Sequence, residues 1–130
     1  MTATAALQAG RALAEALMLD TCVIERESGT TTDPDTGDIV TTWATVYTGR
    51  AKVQTYEAQE SNPDAGGSIR TSQRYTVHIP VGSYEPEVGD RITITAAATD
   101  PHIVGRKYRV AALLHKTLAT AYRLGVEDGA

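Results

Sequence analysis

Phenylalanine is absent from this sequence of 130 residues, and tryptophan and cysteine each occur once. The lone Cys22 excludes an internal disulfide, because a bridge within one chain needs two thiols. It stands in an apolar strand candidate, so we expect a small buried side chain there. The core must then rest on Val, Ile, Leu and Ala. Such a core is thin for a free monomer, which favours a protein that buries further surface in an assembly.

Long apolar runs are also missing. No segment approaches the roughly 18 residues that a membrane-spanning helix needs. The N-terminal segment carries Arg11 and Glu15 and lacks a secretory cleavage pattern. The sequence therefore predicts no contact with a membrane and an origin in the cytoplasm.

An excess of positive charge is lacking as well, since the net charge is −4. Proteins that wrap nucleic acid neutralise phosphates with clustered Lys and Arg, so such a role is not expected. The acidity is compatible with a wall past which DNA slides without binding, although mild acidity is common among soluble proteins. A small basic group, Arg106, Lys107 and Arg109, is more simply a solvated strand face than a contact for DNA or an acidic partner.

No catalytic or metal-binding motif is present. The three histidines lie in different segments and form neither an HxH nor an HxxxH pair, so no metal site is predicted: His78, His102 and His115. The nucleophile motif GxSxG and the phosphate loop GxxxxGK[ST] are both absent. We expect neither an enzyme nor a bound cofactor.

A helix is predicted from Ala5 to Leu19, within an N-terminal region that ends at residue 20. Its apolar stripe at helical spacing comprises Ala6, Ala9, Leu13 and Leu17. Two interpretations stay open, because the helix could close one end of a β-barrel or dock on a neighbouring ring.

The remainder, residues 21–127, predicts a β-rich part of a single domain spanning residues 1–130. Short alternating segments separated by polar turns favour a small β-barrel or sandwich of about six to seven antiparallel strands. The turn cassette around Pro34 and Gly37 belongs to a predicted loop from Ser28 to Asp38, and Gly49 predicts a bulge. The strand candidates are Thr21–Glu27, Ile39–Tyr47, Arg50–Gln54, Arg74–Ile79, Arg91–Ala96, Lys107–Ala112 and Ala121–Glu127. Alternation along the last four segments predicts that Arg74, Thr76 and His78 point outward. The inward positions predicted there are Tyr75, Val77, Ile79, Ile92, Ile94, Tyr108, Val110, Tyr122, Leu124 and Val126.

Within this part, the segment from Glu57 to Ser68 has almost nothing to bury and predicts a long loop between strands. It carries three acidic residues and two adjacent glycines that are plausible hinges. A surface hairpin tip without function is the simpler alternative. The residues of interest in this loop are Glu57, Gln59, Glu60, Asn62, Asp64, Gly66 and Gly67.

The order of these elements resembles a known family. A helix, then LMLDTCVIER (residues 17–26), TDPDTGDIV (32–40) and VYTGRAKVQ (46–54), is similar to the head-to-tail connector proteins of long-tailed bacteriophages. Within that group the head-closure, or stopper, proteins are the most similar. Later segments that fit are Tyr75–Pro80, Val88–Ile92 and Gly105–Val110.

The resemblance implies a virion structural protein at the head-tail interface, made in the host cytoplasm. Copies would form a roughly twelve-fold ring through heterologous contacts. The ring would lie below the portal and adaptor proteins, retain packaged DNA and offer a platform to the tail terminator or tail tube. Double-stranded DNA would pass through its channel without sequence-specific binding.

In such a ring, the loop from Glu57 to Ser68 would be the channel gate. Exposed strand edges and the N-terminal helix would make contacts between subunits or rings. The contact residues expected are Arg11, Leu13, Leu17, Asp33, Asp35, Arg106 and Arg109. A tail terminator or tail-joining protein, and a small β-barrel that binds a peptide or sugar, are the alternatives.

Overall fold

The computed structural model describes residues 2–61 and 70–128, with the backbone alone described at 55–61 and 70–74. One helix precedes six strands, which confirms the mainly β prediction. Their bounds are α1 Ala3–Ala16, β1 Asp20–Thr32, β2 Ile39–Ser61, β3 Arg70–Ile79, β4 Arg91–Ala96, β5 Lys107–Leu113 and β6 Tyr122–Asp128, with a 3-10 turn at Pro101–Ile103 between β4 and β5.

The six strands form one closed antiparallel barrel in the order β1-β2-β3-β6-β5-β4, and β4 pairs with β1 to complete it. Side chains alternate inward and outward along each strand, so the inward set fills the interior. Tyr108 is the single aromatic residue in the buried cluster. The other members are Cys22, Ile24, Ala51, Val77, Ile79, Ile92, Ile94, Val110, Leu124 and Val126.

The inward positions predicted on β4 and β5 are buried, and so are Val77, Ile79, Leu124 and Val126. Tyr75 and Tyr122 pack against this cluster as half-buried neighbours. Thr76 is 4% exposed, yet it lies on the outward side of β3 as predicted, where it lines an outer hollow with His78.

The long hairpin β1–β2 replaces the predicted loop from Ser28 to Asp38. Strand pairing continues to Thr32 and Ile39, and two register shifts, at Ile24/Glu25 and Glu27/Gly29, accommodate the twist. Only a short turn remains, where Gly37 adopts a φ of 77° and the Asp33 carboxylate accepts a hydrogen bond from the Asp35 amide. The threonines on both strands favour extended pairing over a loop.

The bulge expected at Gly49 lies elsewhere. Gly49 pairs regularly with Cys22, while Ile24 pairs with Tyr47 and Glu25 pairs with Thr45. Val46 is therefore the extra residue. The glycine has a packing reason instead, because a Cβ atom there would lie 2.7 Å from the Tyr47 hydroxyl.

Helix α1 ends at Ala16 rather than near residue 20, and Thr2 caps its start by accepting a hydrogen bond from the Ala5 amide. The predicted stripe of Ala6, Ala9, Leu13 and Leu17 is exposed. The opposite face lies on the barrel, where Arg11 Nε donates to the Ala119 carbonyl at 3.1 Å. A Cβ atom on Gly10 would lie 3.0 Å from Thr120 Cγ2, so the lack of a side chain lets the helix come close.

Candidate assembly surfaces

Two hairpins continue beyond the barrel wall, one from each end of β2. In the first arm, defined as residues 26–44, β1 and β2 pair from Arg26–Ala44 to Thr32–Ile39. Strand β4 pairs with β1 only from Thr21 to Glu25, so in the described structure the first arm is a two-stranded ribbon. Such ribbons are marginal in water when nothing covers them.

The second arm pairs the end of β2 with the start of β3, from Glu57–Arg74 to Ser61–Arg70. Strand β6 joins β3 only at Tyr75–Ile79, so this arm too extends beyond the closed barrel. The predicted loop from Glu57 to Ser68 is therefore wrong in its first part, because Glu57, Gln59 and Glu60 are strand residues. The remaining candidate gate residues lie outside the described residues: Asn62, Asp64, Gly66 and Gly67.

The base of the first arm is fixed by a charged cluster. Asp90, 1% exposed, accepts hydrogen bonds from Arg26 Nε at 2.9 Å and Arg26 Nη2 at 3.0 Å. It also accepts from the Glu87 amide at 3.0 Å and the Tyr84 hydroxyl at 3.3 Å. The hydrogen bond and the charge of Asp90 raise the pKa of Arg26, even against the cost of its partial burial.

A second clamp joins the first arm to β4. The Arg91 guanidinium carbon lies 3.9 Å from the centroid of the Trp43 ring, and Arg91 Nη2 pairs with Glu25 Oε1 at 3.0 Å. The two clamps hold the arm at its root and leave its tip free. At the tip, Ile39 is 75% exposed and Val40 is 49% exposed, beside the carboxylates of Asp35 and Asp38.

Elsewhere on the barrel wall, three basic residues lie in register on three neighbouring strands. Lys52 on β2 is the register partner of His78 on β3, and His78 is the partner of Arg123 on β6. The connection of residues 114–120 lies beside this row, and its His115 and Lys116 line one hollow with His78 and Arg123, while Lys52 continues the row on β2. We call these five residues the basic groove.

The positive surroundings of the basic groove act on the pKa of His78. Burial lowers the pKa of His78, and the nearby charges of Arg123 and Lys52 lower it further. Among the side chains that the structure describes, no carboxylate forms an ion pair with Lys52, Lys116 or Arg123. An acidic chain therefore carries a local cationic surface for which the described side chains supply no counterion.

An apolar hollow of about 550 Å³ adjoins the basic groove. The two share Leu114, His115, Lys116 and Arg123. Its remaining wall is mainly apolar and aromatic, with Tyr84, Pro86, Leu113, Ala121, Tyr122 and Leu124, and it also includes Glu85. The combination suits a ligand that offers both acidic and aliphatic groups.

The other contact residues expected from the sequence are spread over different surfaces. Leu13 and Leu17 are 66% and 54% exposed and form, with Leu19, what we call the leucine face. Arg11 instead lies on the seam between the helix and the barrel. Asp33 builds its own turn, Arg109 lies 3.8 Å from Glu127, and Arg106 is exposed at the start of β5.

Two further observations bear on other functions. Among the side chains that the structure describes, no group of three or more His, Cys, Asp or Glu could hold a metal ion. No helix in the described part of the chain has the length and apolar character needed to cross a membrane.

Comparison with known proteins places the chain by fold and family. A family model described as a family of unknown function (DUF6093) matches residues 10–127. No curated protein matches the chain. The solution structure of protein SF1141 from Shigella flexneri 2a is similar, with a TM-score of 0.55 and 23% identity, covering 85% of this chain and 92% of that chain. At this identity the likeness shows the fold alone.

Proposed function

This chain belongs to the family of unknown function DUF6093, and we propose that it is a bacteriophage head-to-tail connector protein of the stopper type. In this role, copies form a ring below the portal and adaptor, hold the packaged DNA and present a platform to the tail. The observation that carries the proposal is the pair of arms that leave the barrel at the two ends of β2.

The strands differ greatly in length. Strand β2 has 23 residues, whereas β4 has 6 and β5 and β6 have 7 each. A barrel that served only to enclose a ligand would need strands of similar length. Paired ribbons that project beyond a small core are instead suited to reaching neighbouring subunits, since they expose backbone edges and tip side chains.

The leucine face supports the same role. Three large apolar side chains in or just after the last turns of α1, Leu13, Leu17 and Leu19, are each more than half exposed. Monomeric proteins keep contiguous exposed apolar patches small, because water disfavours them. Docking on an adaptor ring would remove this surface from water.

The first test is co-purification with the portal and adaptor proteins encoded beside this chain, followed by native mass spectrometry. One copy of the chain per adaptor subunit is expected. Replacing Leu13 and Leu17 by Glu should abolish the complex and leave the fold intact. Replacing the exposed residues Gln8 and Ala12 by Glu adds the same charge away from the leucine face and should leave the complex intact.

A complex that forms equally well with both double variants would contradict the leucine face as the docking surface. If the chain does not bind portal and adaptor, and instead forms hexamers that bind tail tubes, the stopper role is overturned and a tail-joining role is favoured.

Retention of DNA tests the second arm. Ser61 and Arg70 are register partners, so an Asn-Gly turn can replace residues 62–69 without disturbing the pairing below it. Particles carrying this shortened chain should package DNA and then lose it. A matched control replaces residues 62–69 by Gly and Ser at unchanged length. Full retention of DNA by the shortened chain would remove the gate role and leave the ring role standing.

A further inference from the structure

The basic groove is a local cationic surface on this acidic chain, and the proposed ring does not yet assign it a ligand. Its row of Lys52, His78 and Arg123 is fixed by strand register across β2, β3 and β6. Rigid strands hold the charges of Lys52 and Arg123 in place on either side of His78 before any ligand arrives, which reduces the ordering cost of binding.

We propose that the basic groove binds the tip of the first arm of a second copy of this chain. This deepens the proposed function, because it rests on copies that assemble side by side and names their contact. The tip offers the carboxylates of Asp35 and Asp38 to the cationic row. Ile39 and Val40, which follow at once in the chain, enter the adjoining apolar hollow.

Charge and shape both favour this occupant. Carboxylates pair with Lys and Arg through charge-assisted hydrogen bonds, and the groove has no carboxylate of its own among the described side chains. The hollow beside it is lined mainly by apolar and aromatic side chains, and Ile39 and Val40 are the apolar residues left exposed at the tip. One hairpin therefore carries the two kinds of group that the two adjacent hollows need.

A DNA duplex fits the same charges less well. Duplex binding needs a broad basic surface that follows a charged backbone, and a chain of net charge −4 repels it elsewhere. An apolar hollow at the end of a cationic row gives a phosphate backbone nothing to contact. The narrow acidic hairpin is the better partner.

The geometry also has the symmetry that a ring requires. The tip and the groove are different surfaces of the same chain, so tip-to-groove binding is heterologous and leaves a free tip and a free groove at the ends of any open chain of subunits. When the ring closes, the last free tip binds the last free groove.

A charge-swap experiment with the full chain tests the contact without any phage partner. The tip variant carries Asp35→Lys and Asp38→Lys, and Asp33 is kept because it forms the turn. The groove variant carries Lys52→Glu and Arg123→Glu. Self-association is measured by sedimentation velocity and by concentration-dependent NMR shifts, at low salt and up to millimolar protein.

The wild type should self-associate, and each variant alone should weaken this by at least tenfold, because like charges then meet. An equal mixture of the two variants should restore association in a 1:1 ratio, since each tip again meets a groove of opposite charge. Arg50→Glu with Lys107→Glu is the control, which makes the same charge change at two exposed basic residues outside the groove and should behave as the wild type.

The proposal is overturned if the wild type shows no concentration dependence, if the mixture fails to associate, or if the control weakens association as much as the groove variant. It is also overturned if the groove variant loses affinity for a short DNA duplex that the tip variant retains, because the duplex is then the ligand. A tip variant that still enters the adaptor complex at normal stoichiometry would remove this contact and leave the proposed function intact. A chain that self-associates in the charge-swap pattern but does not bind the adaptor would support this contact and contradict the proposed function.

Discussion

Arg26 holds the buried carboxylate of Asp90 in a two-point grip, with Nε on one oxygen at 2.9 Å and Nη2 on the other at 3.0 Å. The pair joins β1, where the first arm leaves the barrel, to the turn before β4. Asp90 also fixes that turn through its backbone, since its carbonyl accepts from the Val110 amide at 2.9 Å. The root of the first arm and the turn before β4 therefore both depend on the Arg26–Asp90 ion pair.

Replacing Arg26 by Met should destabilise the fold strongly. The substitution leaves the Asp90 carboxylate buried with only the Glu87 amide and the Tyr84 hydroxyl as partners. Removing one member of a buried ion pair costs about 3 kcal/mol in the free energy of unfolding. Urea denaturation followed by circular dichroism measures it.

The Arg109 pair provides the control for that measurement. Arg109 lies 3.8 Å from Glu127, and both side chains are more than half exposed. Arg109→Met should cost less than about 1 kcal/mol, because water screens exposed pairs. Equal losses for the two variants would show that Asp90 does not need Arg26.

Gly49→Ala should destabilise the barrel by forcing Tyr47 out of place. The new Cβ atom would meet the Tyr47 hydroxyl at 2.7 Å and its ring carbon Cζ at 3.1 Å. Tyr47 would then lose its hydrogen bond to the Arg50 carbonyl and its stacking on Tyr84. Overpacking of this kind costs about 1 to 3 kcal/mol.

A double-mutant cycle isolates that contact. In a Tyr47→Ala background the space is already empty, so adding Gly49→Ala should cost much less than it does in the wild type. The same cost in both backgrounds would mean that the glycine serves the backbone and not the tyrosine ring.

Much of the barrel could be predicted because its inward residues alternate with polar ones. The pattern around Ile92 and Ile94, and around Val77 and Ile79, gave both strand and orientation. The strands of the first arm could not be predicted, because threonine and glycine occur in loops as readily as in exposed ribbons. The buried face of the helix was also missed, since both of its faces carry small apolar residues and only Gly10 fits close to Thr120.

The basic groove could not be found from sequence alone for a different reason. Lys52, His78 and Arg123 are far apart in the chain, and each is one polar residue on the outward side of a strand. Only the register of β2, β3 and β6 brings them into one row, and a slip of one residue would turn a strand's side chains to the other face. Register depends on pairing that no local pattern specifies.

Cys22 should resist alkylation until the barrel opens. Its side chain is fully buried, and desolvation raises the pKa of the thiol to about 12, so thiolate is scarce. Iodoacetamide at neutral pH should label it more than about a thousandfold more slowly in buffer than in urea, in line with a small domain's stability. A Thr31→Cys probe in a Cys22→Ala background, on the exposed first arm, should react at the rate of a free thiol. Rapid labelling of Cys22 in buffer would show that the barrel opens locally near β1.

Acidification should destabilise the fold through His78. Burial and the charges of Arg123 and Lys52 lower its pKa below the ordinary value of 6.5, so the unfolded chain binds the proton more readily than the folded one. Its contribution to stability is therefore present above about pH 6.5 and is lost as the pH falls from there towards the lowered pKa. His115 and Lys116 line the same hollow as His78. His78→Gln should flatten this part of the pH profile of unfolding, whereas His102→Gln, at an exposed position away from the groove, should leave it unchanged. A profile that keeps its slope in His78→Gln would mean that other groups carry the acid sensitivity.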